Sequence, residues 1–131
     1  NVMRRCFSAL FLLGTVLFSL HGQPAAAGEP SVLKVRAVAS GGGSYRFDVT
    51  VRHDDTGWDH YADRWEVLDA SGKVLATRVL LHPHETEQPF TRSLSGVRIP
   101  AGLSRVIVRA HDKVHGNGSQ TFAVDLPKKG S

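Results

Sequence analysis

Cysteine is almost absent. The only one, Cys6, lies in an apolar stretch near the start of the 131-residue chain. From Gly28 onward there is therefore no disulfide, no thiolate metal ligand and no cysteine nucleophile. Long hydrophobic runs are missing beyond that stretch, which argues against a membrane span of roughly 20 residues in the rest of the chain. No helical apolar period emerges anywhere after Gly28. Excess charge is scarce as well. The chain has sixteen Lys+Arg and twelve Asp+Glu; setting aside Arg4 and Arg5 leaves fourteen against twelve, a net of +2. That balance is too mild to imply a nucleic-acid partner. There is no Ser-His-Asp constellation with a placed context and no pair of carboxylates in a credible cleft. Gly41-Gly42-Gly43 has no helix behind it to receive a phosphate. These absences weigh against an enzyme without excluding one.

The N-terminal stretch reads as a targeting segment, residues 1–27. Met3-Arg4-Arg5 forms a basic start, residues 6–20 are apolar almost throughout, and Ala25-Ala26-Ala27 offers the small side chains a signal peptidase requires. The expected cut follows Ala27. Cys6 stands at the front of the apolar run and not at its end, the wrong place for a lipidated cysteine. A cleaved signal, no stable membrane anchor afterwards, and a periplasmic or secreted location follow as expectations. Residues 28–131 are then one domain, large enough to bury a modest core without staples.

That domain reads as all-β. Residues 44–53 alternate strictly: Tyr45, Phe47, Val49 and Val51 on one face, Arg46, Asp48, Thr50 and Arg52 on the other. A period of two with polar alternates means one buried and one wet face. Similar runs fall at 32–38, 63–69, 74–81, 103–111 and 121–126, and a bent one at 90–99. The turn at 70–73 makes a hairpin of two of them. Seven short strands with frequent turn signals suggest an immunoglobulin-like seven-stranded β-sandwich. Trp65 is expected in the core, Trp58 and Tyr61 as packing over a loop, and Arg46, Arg52, Arg105 and Arg109 on a solvated face.

Six histidines follow Gly28: His53, His60, His82, His84, His111 and His115. In an up-and-down trace, loops alternate between the two ends of a sandwich. The loops with His53 and His60, with His82 and His84, and with His111 and His115 then share one end, a usual place for function. Phase adds to this. His53 continues the inward series of its strand, and Asp112 continues the inward series Val106, Val108, Ala110. Both should point into the same capped end from facing sheets. Imidazole nitrogen with carboxylate oxygen is the ligand set of zinc, copper or iron. Asp54, Asp55, Asp59 and Asp63 are available as further ligands or as partners that orient the rings.

The segment from His53 to Val67, with His60-Tyr61 shortly before Trp65-Glu66-Val67, resembles the iron-binding domain of superoxide reductases (desulfoferrodoxin and neelaredoxin). In that family two histidines stand a few residues apart, the second followed by Tyr and then Trp-Ile-Glu. The stretch Arg109-Ala110-His111-Asp112-Lys113-Val114-His115-Gly116 is similar to the family's closing motif, in which a cysteine and a histidine precede a glycine. The resemblance covers about half of the chain after Gly28. It implies an immunoglobulin-like fold and places His53, His60 and His115 on three of the family's histidine ligands. The family's cysteine falls on Asp112, the gap from His53 to His60 is one residue longer, and the remaining histidine ligand has no counterpart unless His82 or His84 approaches. A carboxylate donates less electron density than a thiolate, so superoxide chemistry does not transfer with the likeness.

The expected function is an exported protein that binds a divalent transition metal through His53, His60, Asp112 and His115, with His82 and His84 as further candidates. The alternative is a non-enzymatic module that grips a protein or glycan partner with the same loop end. A redox enzyme like superoxide reductase is the third reading.

Overall fold

A computed structural model describes residues 28–127. The expected signal segment, Cys6 within it, and the tail beyond Pro127 lie outside the described residues. The strands are β1 (Ser31–Gly41), β2 (Ser44–Arg52), β3 (Ala62–Leu68), β4 (Val74–Val79), β5 (Phe90–Arg98), β6 (Arg105–Asp112), β7 (Gly116–Asn117) and β8 (Phe122–Asp125). The described residues contain no helix long and apolar enough to cross a membrane.

The strands form two antiparallel sheets. One has the order β1-β2-β5. In the other, β4-β3-β6, the strands β7 and β8 both pair with β6 along different stretches. Alternation decides which residues meet between the sheets. Tyr45, Phe47, Val49 and Val51 of β2 are buried, and so are Val106, Val108 and Ala110 of β6. With Trp65, Val67 and Phe90 they make one core drawn from both sheets. β-Branched and aromatic side chains suit such a half-buried pleated surface. The all-β expectation holds, with the additional two-residue β7 beside the seven runs read from sequence. β5 is one strand and not two. Between Leu94 and Val97 it carries one residue more than β2 does between Phe47 and Tyr45, and Gly96 sits there at φ +68°. This bulge is the bend that the sequence showed as two short runs.

The pairing register fixes which segments share an end. Ser31 at the start of β1 lies opposite Arg52 at the end of β2. Phe90 at the start of β5 lies opposite Val51. Ala62 at the start of β3 lies opposite Asp112 at the end of β6. One end of the sandwich therefore gathers residues 28–30, 53–61, 80–89 and 113–121. The other end gathers the turns at 42–43, 69–73 and 99–104.

Candidate metal centre

His53 is the first residue after β2 and keeps that strand's inward phase, so its side chain is fully buried. Its backbone N–H donates to Gln88 Oε1 at 3.0 Å, and Gln88 Nε2 donates to the His84 carbonyl at 2.9 Å. One glutamine thus ties the end of β2 to the 80–89 loop. His60 is set by a tight turn. Thr56 N–H donates to the His60 carbonyl at 3.0 Å, and His60 N–H donates to the Gly57 carbonyl at 3.2 Å. Asp112 ends β6 from the opposite sheet and is fully buried.

These three converge. His53 Nε2 lies 3.0 Å from Asp112 Oδ2 and 3.2 Å from His60 Nε2, and His60 Nε2 is 3.4 Å from Asp112 Oδ2. All three atoms fall within 4.8 Å of one another. Two donors bound at about 2.1 Å to one zinc-like ion, at angles of about 90–110°, stand about 3.0–3.4 Å apart. The observed separations match that spacing.

Asp55 fixes the proton on His53. It is buried, and its Oδ1 accepts the Ala62 N–H at 3.0 Å and faces His53 Nδ1 in a short contact. Its Oδ2 accepts the His84 N–H at 2.6 Å. An ionised carboxylate only accepts, so His53 Nδ1 carries a hydrogen, and in the neutral ring Nε2 turns a lone pair toward Asp112 and His60. This carboxylate–histidine arrangement orients imidazole ligands of metals and raises their basicity.

Asp112 is held ionised. Burial works to raise its pKa. The backbone N–H of His115, the His115 ring and the Val114 N–H lead the groups that outweigh burial and bring it down to about 2. Val114 N–H donates to Oδ1 at 2.8 Å, and His115 N–H makes a shorter contact with the same oxygen. Oδ2 is left for the three rings, including His115 Nδ1 at 3.0 Å. The His115 ring is half-exposed at the rim, with its centroid 4.9 Å from that of His60.

The other candidates stand apart from this group. His82 is exposed. His84 is buried and stacks on Phe90 with centroids 4.0 Å apart. Arg92 donates to His84 Nε2 at 2.9 Å, which leaves the hydrogen on His84 Nδ1, 3.9 Å from Asp55 Oδ2. The His84 ring therefore approaches the centre only at Asp55. His111 lies on β6, one residue out of phase with Asp112, and pairs with Asp63 at 2.6 Å on the outer face. Asp54 and Asp59 are exposed, and of the four loop carboxylates only Asp55 touches a ring of the cluster. Tyr61 is buried as expected, but Trp58, in edge contact with it at 5.6 Å, is 65% exposed. Arg109 also departs from a simple solvated role, donating to the buried Glu66 at 3.1 Å.

The buried His84 carries a pH dependence. Burial and the neighbouring Arg92 and His82 charges lower its pKa below 6.5, against the smaller opposing pull of Asp55 and Glu87. The unfolded chain then binds the proton more readily than the folded one, so stability is present above about pH 6.5 and lost as the pH falls below it. With chelator present, urea midpoints taken at about pH 7.5 and about pH 5.5 are expected to drop less for His84→Gln than for the parent. Equal drops would remove His84 from the account.

One contact at this centre has no side chain on one partner. The main-chain carbonyl oxygen of Gly28 lies 2.9 Å from His53 Nε2. Residues 28–30 read from sequence only as a short leader, because a peptide oxygen gives no residue-type signal.

A protein of Halomicrobium mukohataei named "Putative lipoprotein" is 45% identical to this chain over 97 residues, 74% of this chain and 47% of that protein. The chain thus spans about half the length of the relative it matches. No family model and no solved structure matches the chain.

Proposed function

We propose that the chain is an exported β-sandwich protein that holds one divalent transition metal at the end of its two sheets. His53, His60 and Asp112 are the inner ligands, and His115 completes the set from the rim. The observation that carries this reading is the meeting of His53 Nε2, His60 Nε2 and Asp112 Oδ2 at metal-ligand spacing, with Asp55 turning the His53 lone pair inward. A nitrogen and oxygen set without sulfur suits zinc, copper(II) or iron(II). The strand order, β1-β2-β5 facing β4-β3-β6-β8, supports an immunoglobulin-like connectivity. The likeness to the iron-binding domain of superoxide reductases supports the ligand positions. With a carboxylate where that family has its thiolate, the site is read as holding or carrying a metal and not as reducing superoxide. Lipoproteins are an exported class, so the relative's name supports export.

Elemental analysis of the protein purified after export is expected to show about one equivalent of a divalent metal per chain. His53→Ala should weaken its binding about a hundredfold or more. His115→Ala should weaken it less, because that ring sits at the rim. Metal-free protein with no thermal shift in zinc, copper or iron would end this reading, and so would substoichiometric metal that survives both substitutions.

A second reading rests on exposed apolar side chains at the same end, Trp58, Leu81 and Val114. They favour a protein or glycan partner seated over the loops. Of the residues first considered for such a grip, Tyr61 and His84 are buried and Trp58 and His82 are exposed. Loss of partner capture on Trp58→Ala, with metal content unchanged, would identify that use.

A further inference from the structure

We propose that the main-chain carbonyl oxygen of Gly28 is an additional ligand of this metal, and that docking of residues 28–30 closes the centre. The inference rests on the metal reading above and deepens it. Gly28 O lies 2.9 Å from His53 Nε2, close to the 3.0 Å between that nitrogen and Asp112 Oδ2. When the His53 ring is neutral with its hydrogen on Nδ1, as a metal ligand must be, this contact sets an oxygen lone pair against a nitrogen lone pair. Hydrogens on His60 and His115 can serve Asp112, but none of them lies on the line between His53 and Gly28. A cation coordinated by both atoms resolves the contact, taking the place that a second ring proton holds in its absence.

The segment is built into the sandwich. Ser119 donates to Glu29 Oε2 from both its N–H, at 3.2 Å, and its hydroxyl, at 2.7 Å. Pro30 is buried against Gly118, where a Cβ would come within 2.2 Å of the Pro30 carbonyl oxygen. Val32 N–H reaches the Gln120 carbonyl at 3.4 Å. Position 28 itself requires glycine. Its φ is +88°, and a Cβ there would lie 2.7 Å from Cε1 of the His115 ring. The backbone is therefore pressed against one proposed ligand while its carbonyl faces another.

The chemical consequence is selectivity. A peptide oxygen and a carboxylate added to three imidazoles make a mixed nitrogen and oxygen set for a divalent ion. Soft copper(I), which favours thiolate and thioether donors, should be held less well.

The test uses protein purified after export from cells fed [1-13C]glycine and loaded with copper(II). Pulsed EPR is expected to show imidazole 14N couplings together with a 13C coupling from one carbonyl. Gly28→Ala should remove the 13C coupling and weaken copper(II) binding about tenfold or more, with the couplings of the inner rings, His53 and His60, retained. Imidazole couplings without a 13C coupling in the parent would overturn this inference and leave the metal reading standing. A 13C coupling that persists in Gly28→Ala would also overturn it, by assigning the signal to another glycine. Copper(II) that fails to bind the parent at all would overturn the metal reading itself. Should Gly28→Ala not fold, Glu29→Ala removes the two Ser119 hydrogen bonds and loosens the same segment. It should bind copper(II) about tenfold less tightly, and unchanged affinity would remove docking from the site.

Discussion

Asp112→Asn is expected to abolish tight metal binding while costing the metal-free protein much less stability than Asp112→Ala does. The two effects have one cause. In the parent, Asp112 Oδ1 accepts the N–H groups of Val114 and His115, and Oδ2 faces His53 Nε2, His60 Nε2 and His115 Nδ1. An asparagine can keep its oxygen on the two backbone donors and turn its NH2 toward the rings. Without metal, that NH2 supplies hydrogens to the His53 and His60 lone pairs, and a buried charge is gone. With metal, the same group offers no lone pair and no charge, so affinity should fall about a hundredfold or more. Asp112→Ala has no such compensation. It strands the Val114 and His115 N–H groups at a cost of about 1–3 kcal/mol each and leaves a void. Thermal unfolding with and without zinc, together with competition against a chromophoric chelator, reads both quantities. Parent-like zinc affinity in Asp112→Asn would take Asp112 out of the ligand set.

The same carboxylate gives an acid limit. Its pKa is lowered from 3.8 to about 2 in the folded protein. A depressed carboxylate contributes stability that is complete above the unfolded value and lost as the pH falls through the folded one. The metal-free parent should therefore lose this contribution between about pH 4 and about pH 2, and Asp112→Asn should lack that component of the acid transition.

Much of this was legible from sequence because β-structure writes its orientation in steps of two. The alternation of Tyr45, Phe47, Val49 and Val51 carries on to His53 without a break, and that of Val106, Val108 and Ala110 carries on to Asp112. Counting in twos was enough to aim both residues into one interior from facing sheets. The same counting puts His111 outside, where it meets Asp63. Loops offer no such period. His84 lies as close in sequence to the expected cluster end as His82 does, yet one is buried under Arg92 and Asp55 and the other is exposed. Four aspartates around His53 and His60 were equivalent on paper. Only the return of the chain at Ala62 and His84 selects Asp55, by bringing two more backbone donors to it. Gly28 was invisible for a different reason: the atom it contributes is present in every residue.

The counterpart substitution at the second buried carboxylate, Asp55→Asn, is expected to lower metal affinity as well and to cost more stability than Asp112→Asn. Three donors converge on Asp55: the Ala62 N–H, the His84 N–H and His53 Nδ1. Whichever way an asparagine turns, its NH2 meets at least one N–H that needs an acceptor. If the NH2 replaces Oδ2, the His84 N–H is stranded. If it replaces Oδ1, the Ala62 N–H is stranded and His53 Nδ1 becomes an acceptor, which moves the ring's hydrogen to Nε2, where the metal has to bind. Each stranded buried donor costs about 1–3 kcal/mol. Loss of the orienting carboxylate should weaken the metal about 10–100-fold. The imidazole 15N shifts of His53 report the tautomer directly and should show hydrogen on Nδ1 in the parent. A parent with its hydrogen on Nε2, or an Asp55→Asn protein as stable and as metal-avid as the parent, would break the argument at its first step. The pair of Asp→Asn exchanges then separates two roles that burial alone does not. At Asp112 the amide oxygen can keep both backbone donors, whereas at Asp55 the donors are split between the two oxygens and an amide must strand one of them.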